Sequence, residues 1–129
     1  MKRNWNVIRI ILEHVEDESL GSFIRTKEFM KDAETADPNI LLGHVEILIE
    51  AGVLRNCRVS RGGDGKFESW DLRAPYISMQ WHDLLDALRD EVVWKRITKK
   101  AATAGTVLSW EFIKAAIPIV MAEIVSTTS

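Results

Sequence analysis

Three histidines and one cysteine are the side chains in this sequence best suited to metal ligation or nucleophilic chemistry. His14, His44 and His82 fall in three different predicted helices, and Cys57 has no histidine near it in sequence. Structural metal sites and activated nucleophiles normally show ligands or partners at short, recognisable spacings. We therefore expect no metal site, no catalytic residue, no cofactor and no enzymatic activity.

A glycine-rich segment at 61–66, Arg-Gly-Gly-Asp-Gly-Lys, has the composition of a phosphate-binding loop. It lacks the Gly-Lys-Ser/Thr ending of such loops, and it precedes a strand-like segment where a phosphate loop would precede a helix. Glycines between two strand-like segments are typical of a hairpin turn. We predict a turn here.

Basic side chains are the remaining feature that could carry chemistry, as contacts to phosphates. The formal net charge is -2, so any attraction to nucleic acid must come from a local patch. The predicted hairpin and the run at 95–100 supply two such sets. The candidate DNA-binding residues are Asn39, His44, Arg58, Arg61, Lys66, Lys95 and Lys99.

A central helix has to position most of these residues. Asp37 suits the cap, Pro38 suits the first helical position, and Gly52 suits the left-handed residue after the last turn. These signals predict a helix over 38–51. It runs directly into a predicted hairpin over 53–73, an order typical of a winged helix, whose hairpin is called the wing.

The solvent side of this central helix is acidic. Periodicity points Leu41, Val45 and Leu48 inward. The opposite face then carries Asn39, Gly43, Glu46 and Glu50. A helix in the major groove normally presents Arg, Lys, Asn or Gln to the bases, whereas carboxylates there would face phosphates. This face therefore weakens the DNA hypothesis, and we name Glu46 and Glu50 as candidate contacts to a protein partner.

Capping and periodicity place the other helices. A first helix should begin at Asn4, a second at Thr26, and a long one should span 78–104 with a bend near 89–91. Ser109 should cap a final helix that Pro118 kinks. The five tryptophans are expected in the core, including one, Trp70, that should pack from the returning strand against the helices.

The final helix is apolar on almost every side, with Lys114 and Glu123 as the charges between 112 and 125. Either the helix at 91–104 covers it or a second copy does, so a homodimer is expected. The candidate interface residues are Trp110, Ile117 and Met121.

Together these elements predict a mainly α fold with a small β-hairpin: a winged helix-turn-helix over 1–76, followed by C-terminal helices over 77–129 that pack on it or form the dimer interface. The most apolar stretch, 115–125, is shorter than the roughly 20 residues that cross a bilayer. The first residues lack the apolar run of a signal peptide. We therefore expect a cytoplasmic protein without membrane contact.

Three segments resemble a known family: Met-Lys-Arg-Asn-Trp-Asn-Val-Ile-Arg-Ile-Ile-Leu at 1–12, His-Val-Glu-Ile-Leu-Ile-Glu-Ala-Gly-Val-Leu at 44–54, and Trp-His-Asp-Leu-Leu-Asp-Ala-Leu-Arg-Asp-Glu-Val-Val-Trp-Lys-Arg-Ile at 81–97. They are similar to phage and prophage proteins grouped as domain of unknown function 2513. Those proteins usually have Asp where Asn4 and Asn6 stand, and a shorter segment than 19–37. The resemblance implies a small winged-helix-like protein of a mobile element, in the host cytoplasm if phage-encoded, and brings no catalytic residues.

Two functions follow from these observations. The first is binding of double-stranded DNA, as in transcriptional regulation, through the wing and the basic surface. The second is a protein-interaction module, for instance a phage factor whose acidic surface engages a host protein that acts in defence or that itself binds nucleic acid.

Overall fold

The computed structural model describes residues 3–128 of the chain. The protein is mainly α-helical with a small β-hairpin and C-terminal helices, which confirms the predicted fold class. It divides into two compact units, one ending at Gln80 and the other beginning at Trp81.

In the described part of the chain, the first unit contains three α-helices and two pairs of antiparallel strands. Its helices are α1 (Trp5–Glu16), α2 (Leu20–Arg25) and α3 (Pro38–Glu50), with a 3-10 helix at Glu28–Lys31. Its strands are β1 (Leu54–Arg55), β2 (Arg58–Arg61), β3 (Phe67–Asp71) and β4 (Tyr76–Ile77). Strands β2 and β3 form the hairpin, and β1 pairs with β4.

Local capping explains where α1 and α3 begin. The Asn4 side chain accepts the backbone N–H groups of Asn6 and Val7, and the Asp37 side chain accepts that of Asn39. Gly52, at φ +76°, lets the chain leave α3 in the left-handed conformation. These predicted boundaries are confirmed to within one residue.

The segment between α1 and α3 differs from the prediction. The expected helix beginning at Thr26 is wrong, because α2 ends there and the Thr26 hydroxyl donates to the carbonyl of Ser22 at 2.7 Å. Packing sets α2 instead. Leu20 and Phe23 are buried, and the Phe23 ring stacks on His14 at 3.9 Å between centroids.

The core of the first unit lies between α1 and α3. The buried residues include Val7, Ile8, Ile11 and Leu12 from α1, and Leu41, Val45 and Leu48 from α3. The three inward residues predicted for α3 are thus confirmed. Gly43 is buried too, which corrects its assignment to the solvent face.

The second unit comprises α4 (Leu84–Arg89), α5 (Glu91–Ala104) and α6 (Trp110–Thr128). The helix predicted over 78–104 with a bend near 89–91 is two helices, and they part at Asp90, within the predicted bend. The Asp90 carboxylate caps α5 by accepting two backbone N–H groups. Ser109 caps α6 as predicted, accepting the N–H of Phe112 at 3.1 Å. Within the described residues, no helix is both long enough and apolar enough to cross a bilayer.

Candidate functional site

Arg61, a candidate DNA contact, is an exposed residue whose side chain is tied to α3. Its Nη2 and Nε atoms lie 2.9 and 3.0 Å from the carboxylate oxygens of Glu46, and its Nη1 donates to the Gly65 carbonyl at 2.7 Å. Its guanidinium carbon also lies 4.0 Å from the Phe67 ring centroid. Arg61 therefore ties the hairpin and its turn to α3.

The charge of this pair is set by the same contact. The hydrogen bond from Arg61 lowers the pKa of Glu46 below its ordinary value, against a smaller opposing effect of burial. Glu50 adds to the negative field around Arg61. The charges of Arg61, a candidate DNA contact, and Glu46, a candidate protein contact, therefore largely neutralise each other.

His44, a second candidate DNA contact, is in the core. Its side chain is 1% exposed, its Nε2 accepts the backbone N–H of Asn4 at 2.9 Å, and its Nδ1 donates to the Ile40 carbonyl at 2.7 Å. The Nε2 hydrogen bond joins the start of α1 to α3, and the Nδ1 hydrogen bond returns to α3 itself. The assignment of His44 to a DNA surface is therefore wrong.

Other candidates for DNA contact are on the surface. Asn39, Arg58 and Lys66 are exposed in the first unit, and Lys95 and Lys99 are exposed one helical turn apart on α5. The basic run on α5 is divided, because Lys100 lies 2.8 Å and Arg96 4.0 Å from Glu123 of α6. The remaining candidate protein contact of α3, Glu50, is also exposed.

The predicted interface residues of α6 face inward to different degrees. Ile117 is 4% exposed, so its assignment to an interface is wrong. Met121 is partly buried, and the partly buried Trp110 packs edge-to-face on Trp81 with centroids 5.5 Å apart. The large apolar side chains that α6 leaves exposed are those of Ile119 and Val125.

A groove of about 840 Å³ on the first unit runs between α2 and the hairpin. Its basic lining residues are Arg25, Lys27, Arg58 and Arg73, its acidic ones are Glu18 and Asp71, and Trp70 lies among them. Glycine permits this close approach, since a Cβ atom at Gly21 would lie 3.0 Å from the carbonyl oxygen of Leu72.

Within this groove the cations differ in availability. Arg73 is paired with Asp71, with an Nη2–Oδ2 distance of 3.0 Å. Its hydrogen bonds lower the pKa of Asp71, with a lesser contribution from the charge of Arg58. The side chains of Arg25, Lys27 and Arg58 have no hydrogen-bond or ion-pair partner among the described residues. We call these three residues with Trp70 the basic groove.

Trp70 corrects another expectation. Its side chain is 45% exposed, so it does not pack into the core from the returning strand. Arg25, Lys27 and Trp70 are not among the contacts predicted from the sequence, because the cations precede the central helix and Trp70 follows it. The available signal was a tryptophan between polar residues in a strand beside basic positions.

In the described part of the chain, no three His, Cys, Asp or Glu side chains lie close enough together to bind a metal ion. Burial, and secondarily the charge of Asp71, raises the pKa of Cys57 to about 11. A nucleophilic thiol requires the opposite shift.

Comparison with known proteins assigns the chain to a family. Residues 2–107 match the family described as "Hypothetical protein (DUF2513)", and the chain belongs to that family. It is similar to an uncharacterized protein of Haemophilus influenzae, with 30% identity over 116 residues that cover 88% of this chain and 90% of the relative. No solved structure matches the chain. The family resemblance noted in the sequence is thereby confirmed.

Proposed function

We propose that this protein is a nucleic-acid-binding protein, without enzymatic activity, that contacts phosphates through the basic groove. The observation that carries the proposal is that Arg25, Lys27 and Arg58, which have no hydrogen-bond or ion-pair partner among the described residues, line one groove with an exposed tryptophan in an acidic chain. Because the net charge is -2, such local clustering is what attracts a polyanion.

Base recognition by α3 has little support. Its solvent side carries the half-buried Glu46, which is paired with Arg61, and the exposed Glu50, and His44 is buried. We interpret the first unit as a winged helix whose hairpin β2–β3 is the wing, which contributes Arg58 to the groove. Contacts of this kind fix a protein on a phosphate backbone without selecting a sequence.

Fluorescence anisotropy with labelled random-sequence DNA tests this proposal, with duplex and single strands at about 50 and 200 mM salt. Counterion release predicts affinity that falls steeply with salt. Arg58→Glu should weaken binding more than Lys66→Glu, which makes the same charge change at the hairpin turn, outside the groove. Absence of binding to both DNAs at the lower salt would refute the proposal.

Arg61 is unsuitable as a test of phosphate contact. Since it joins the hairpin to Glu46, its replacement changes the position of β2–β3 together with the charge. Loss of DNA binding in an Arg61 variant would thus have two causes, whereas Arg58 has no ion-pair partner in the described residues.

A second candidate function is protein interaction through α6, as a homodimer. It is favoured by an exposed stripe at helical spacing, comprising Ala115, Ile119, Ala122 and Val125. Sedimentation equilibrium of Ile119→Glu, beside Val107→Glu as an exposed control preceding α6, tests it. A wild-type monomer at all accessible concentrations would refute it. A host protein engaging Glu50 would be an alternative partner.

A further inference from the structure

We infer that the basic groove takes single-stranded nucleic acid and that Trp70 is the platform on which a base stacks. This inference rests on the proposed function and adds the class of ligand. Two tryptophans differ in their surroundings: Trp81 is 4% exposed in the second unit, whereas Trp70 is 45% exposed on the hairpin.

The exposed indole fits a base better than a duplex. In a duplex both faces of each base are covered by its neighbours, whereas an unpaired base offers a free face to an aromatic ring. Trp70 lies across the ladder from Val59, and Arg58 lies across from Asp71, on successive rungs whose side chains leave opposite faces of the hairpin. Both residues nevertheless line the same groove. A nucleotide needs this combination, because its base is flat and its phosphate is anionic.

The second wall of the groove, at the end of α2, supplies further cations. Arg25 ends α2, and Lys27 follows it in the left-handed conformation, at φ +59°. The volume of about 840 Å³ is within the range of roughly 300–1,000 Å³ that binding sites for small organic molecules occupy. The groove therefore has room for a short stretch of nucleotides between two basic walls.

An acidic peptide is the competing ligand. It would satisfy the same cations, but it has no need of an exposed indole, and Glu18 and the Asp71 carboxylate would repel it along the wall. A single strand meets the same repulsion, yet it gains stacking on Trp70, which is favourable for every base.

Anisotropy with three labelled probes tests the inference: a 12-residue oligothymidylate, an abasic oligomer with the same number of phosphates, and a duplex of equal length. The wild-type protein should bind oligothymidylate on the order of 10-fold more tightly than the abasic oligomer, because stacking is the difference between them. Trp70→Ala should abolish this preference without changing abasic binding. Trp70→Phe should retain most of it, and Tyr76→Ala, which removes an exposed aromatic outside the groove, should behave as wild type.

The outcomes separate the two proposals. Equal wild-type affinity for oligothymidylate and the abasic oligomer would overturn stacking while leaving phosphate binding in place, and this comparison needs no variant to fold. Tighter binding of the duplex would also overturn the inference. Absence of binding to all probes at about 50 mM salt would overturn both. Displacement of oligothymidylate by polyglutamate at equal charge concentration would assign the groove to acidic peptides instead.

Discussion

Arg61 and Glu46 form a two-pronged ion pair between the hairpin and α3, with Nη2 and Oε1 2.9 Å apart across 15 positions of sequence. The same guanidinium donates to the carbonyl of Gly65 in the turn. One side chain thus determines both the shape of the turn and its approach to the helix. Because the two charges are paired, this junction of hairpin and helix offers little attraction to a phosphate backbone.

The stability contributed by this pair should depend on pH. The hydrogen bond from Arg61 holds the pKa of Glu46 below its ordinary value of 4.5. A carboxyl group with a lowered folded-state pKa adds stability above its unfolded-state pKa and loses that contribution as the pH falls through the folded-state value. We expect Glu46→Gln to lower the Tm by about 2–4 °C at pH 7, and this difference to disappear well below pH 4.5.

Thermal unfolding by circular dichroism across this pH range measures the effect. Glu50→Gln is the matched control, because Glu50 is exposed on the same helix and interacts with Arg61 only through its charge. A difference between wild type and Glu46→Gln that stays constant with pH would contradict this account of the pair.

Replacement of His44 should destabilise the first unit. His44→Leu keeps most of the buried volume but leaves the N–H of Asn4 and the carbonyl of Ile40 without their partner. Both hydrogen bonds are part-buried, so we expect a total cost of about 1–3 kcal/mol in urea unfolding. His82→Leu, at an exposed position, should change stability little. Equal stability of the two variants would show that the His44 hydrogen bonds contribute nothing.

His44 also shows why the core could be predicted more fully than the site. Helical periodicity identifies Leu41, Val45 and Leu48 as buried because apolar side chains and geometry agree. At His44 the side chain is polar, and its burial depends on a backbone group at Asn4, 40 positions away. Such a long-range partner leaves no local pattern in the sequence.

The same distinction applies to element boundaries and to the basic groove. The caps at Asn4, Asp37 and Ser109 act within a few residues, and each was predicted correctly. By contrast, α2 is placed by the burial of Phe23, and Arg25 meets Arg58 in one groove only through tertiary packing. Charge spacing along the chain therefore could not reveal the groove.

Cys57 should react slowly with alkylating reagents. Burial and the charge of Asp71 raise its pKa to about 11 from 9.0, so at pH 8 the thiolate fraction is about 100-fold smaller than for a thiol at the ordinary value. We expect iodoacetamide to modify the folded protein slower by at least that factor than the urea-unfolded protein. Mass spectrometry of timed samples measures both rates. Similar rates in the two states would contradict the half-buried position of Cys57.

Asp71→Asn provides a further check on the same thiol. It removes the smaller of the two causes of the raised pKa and leaves burial in place. The variant should therefore react faster than wild type but remain far slower than the unfolded chain. A rate in Asp71→Asn equal to that of the unfolded chain would show that the charge, and not burial, dominates.

Gly21→Ala should disturb the packing of α2 against the hairpin, which forms the basic groove. The added Cβ atom would lie 3.0 Å from the Leu72 carbonyl oxygen, which is backbone and cannot rotate away as a side chain could. Alanine favours the helical conformation of α2 by up to about 1 kcal/mol, but overpacking of this kind costs about 1–3 kcal/mol, so we expect a net loss of stability. Gly63→Ala is the control, since no atom lies within 4 Å of the corresponding Cβ position. A displacement of α2 should also weaken oligothymidylate binding in a Gly21→Ala variant that remains folded, because α2 carries Arg25 and β3 carries Trp70. A stabilised Gly21→Ala with unchanged binding would mean that α2 and the hairpin are not held together at this contact.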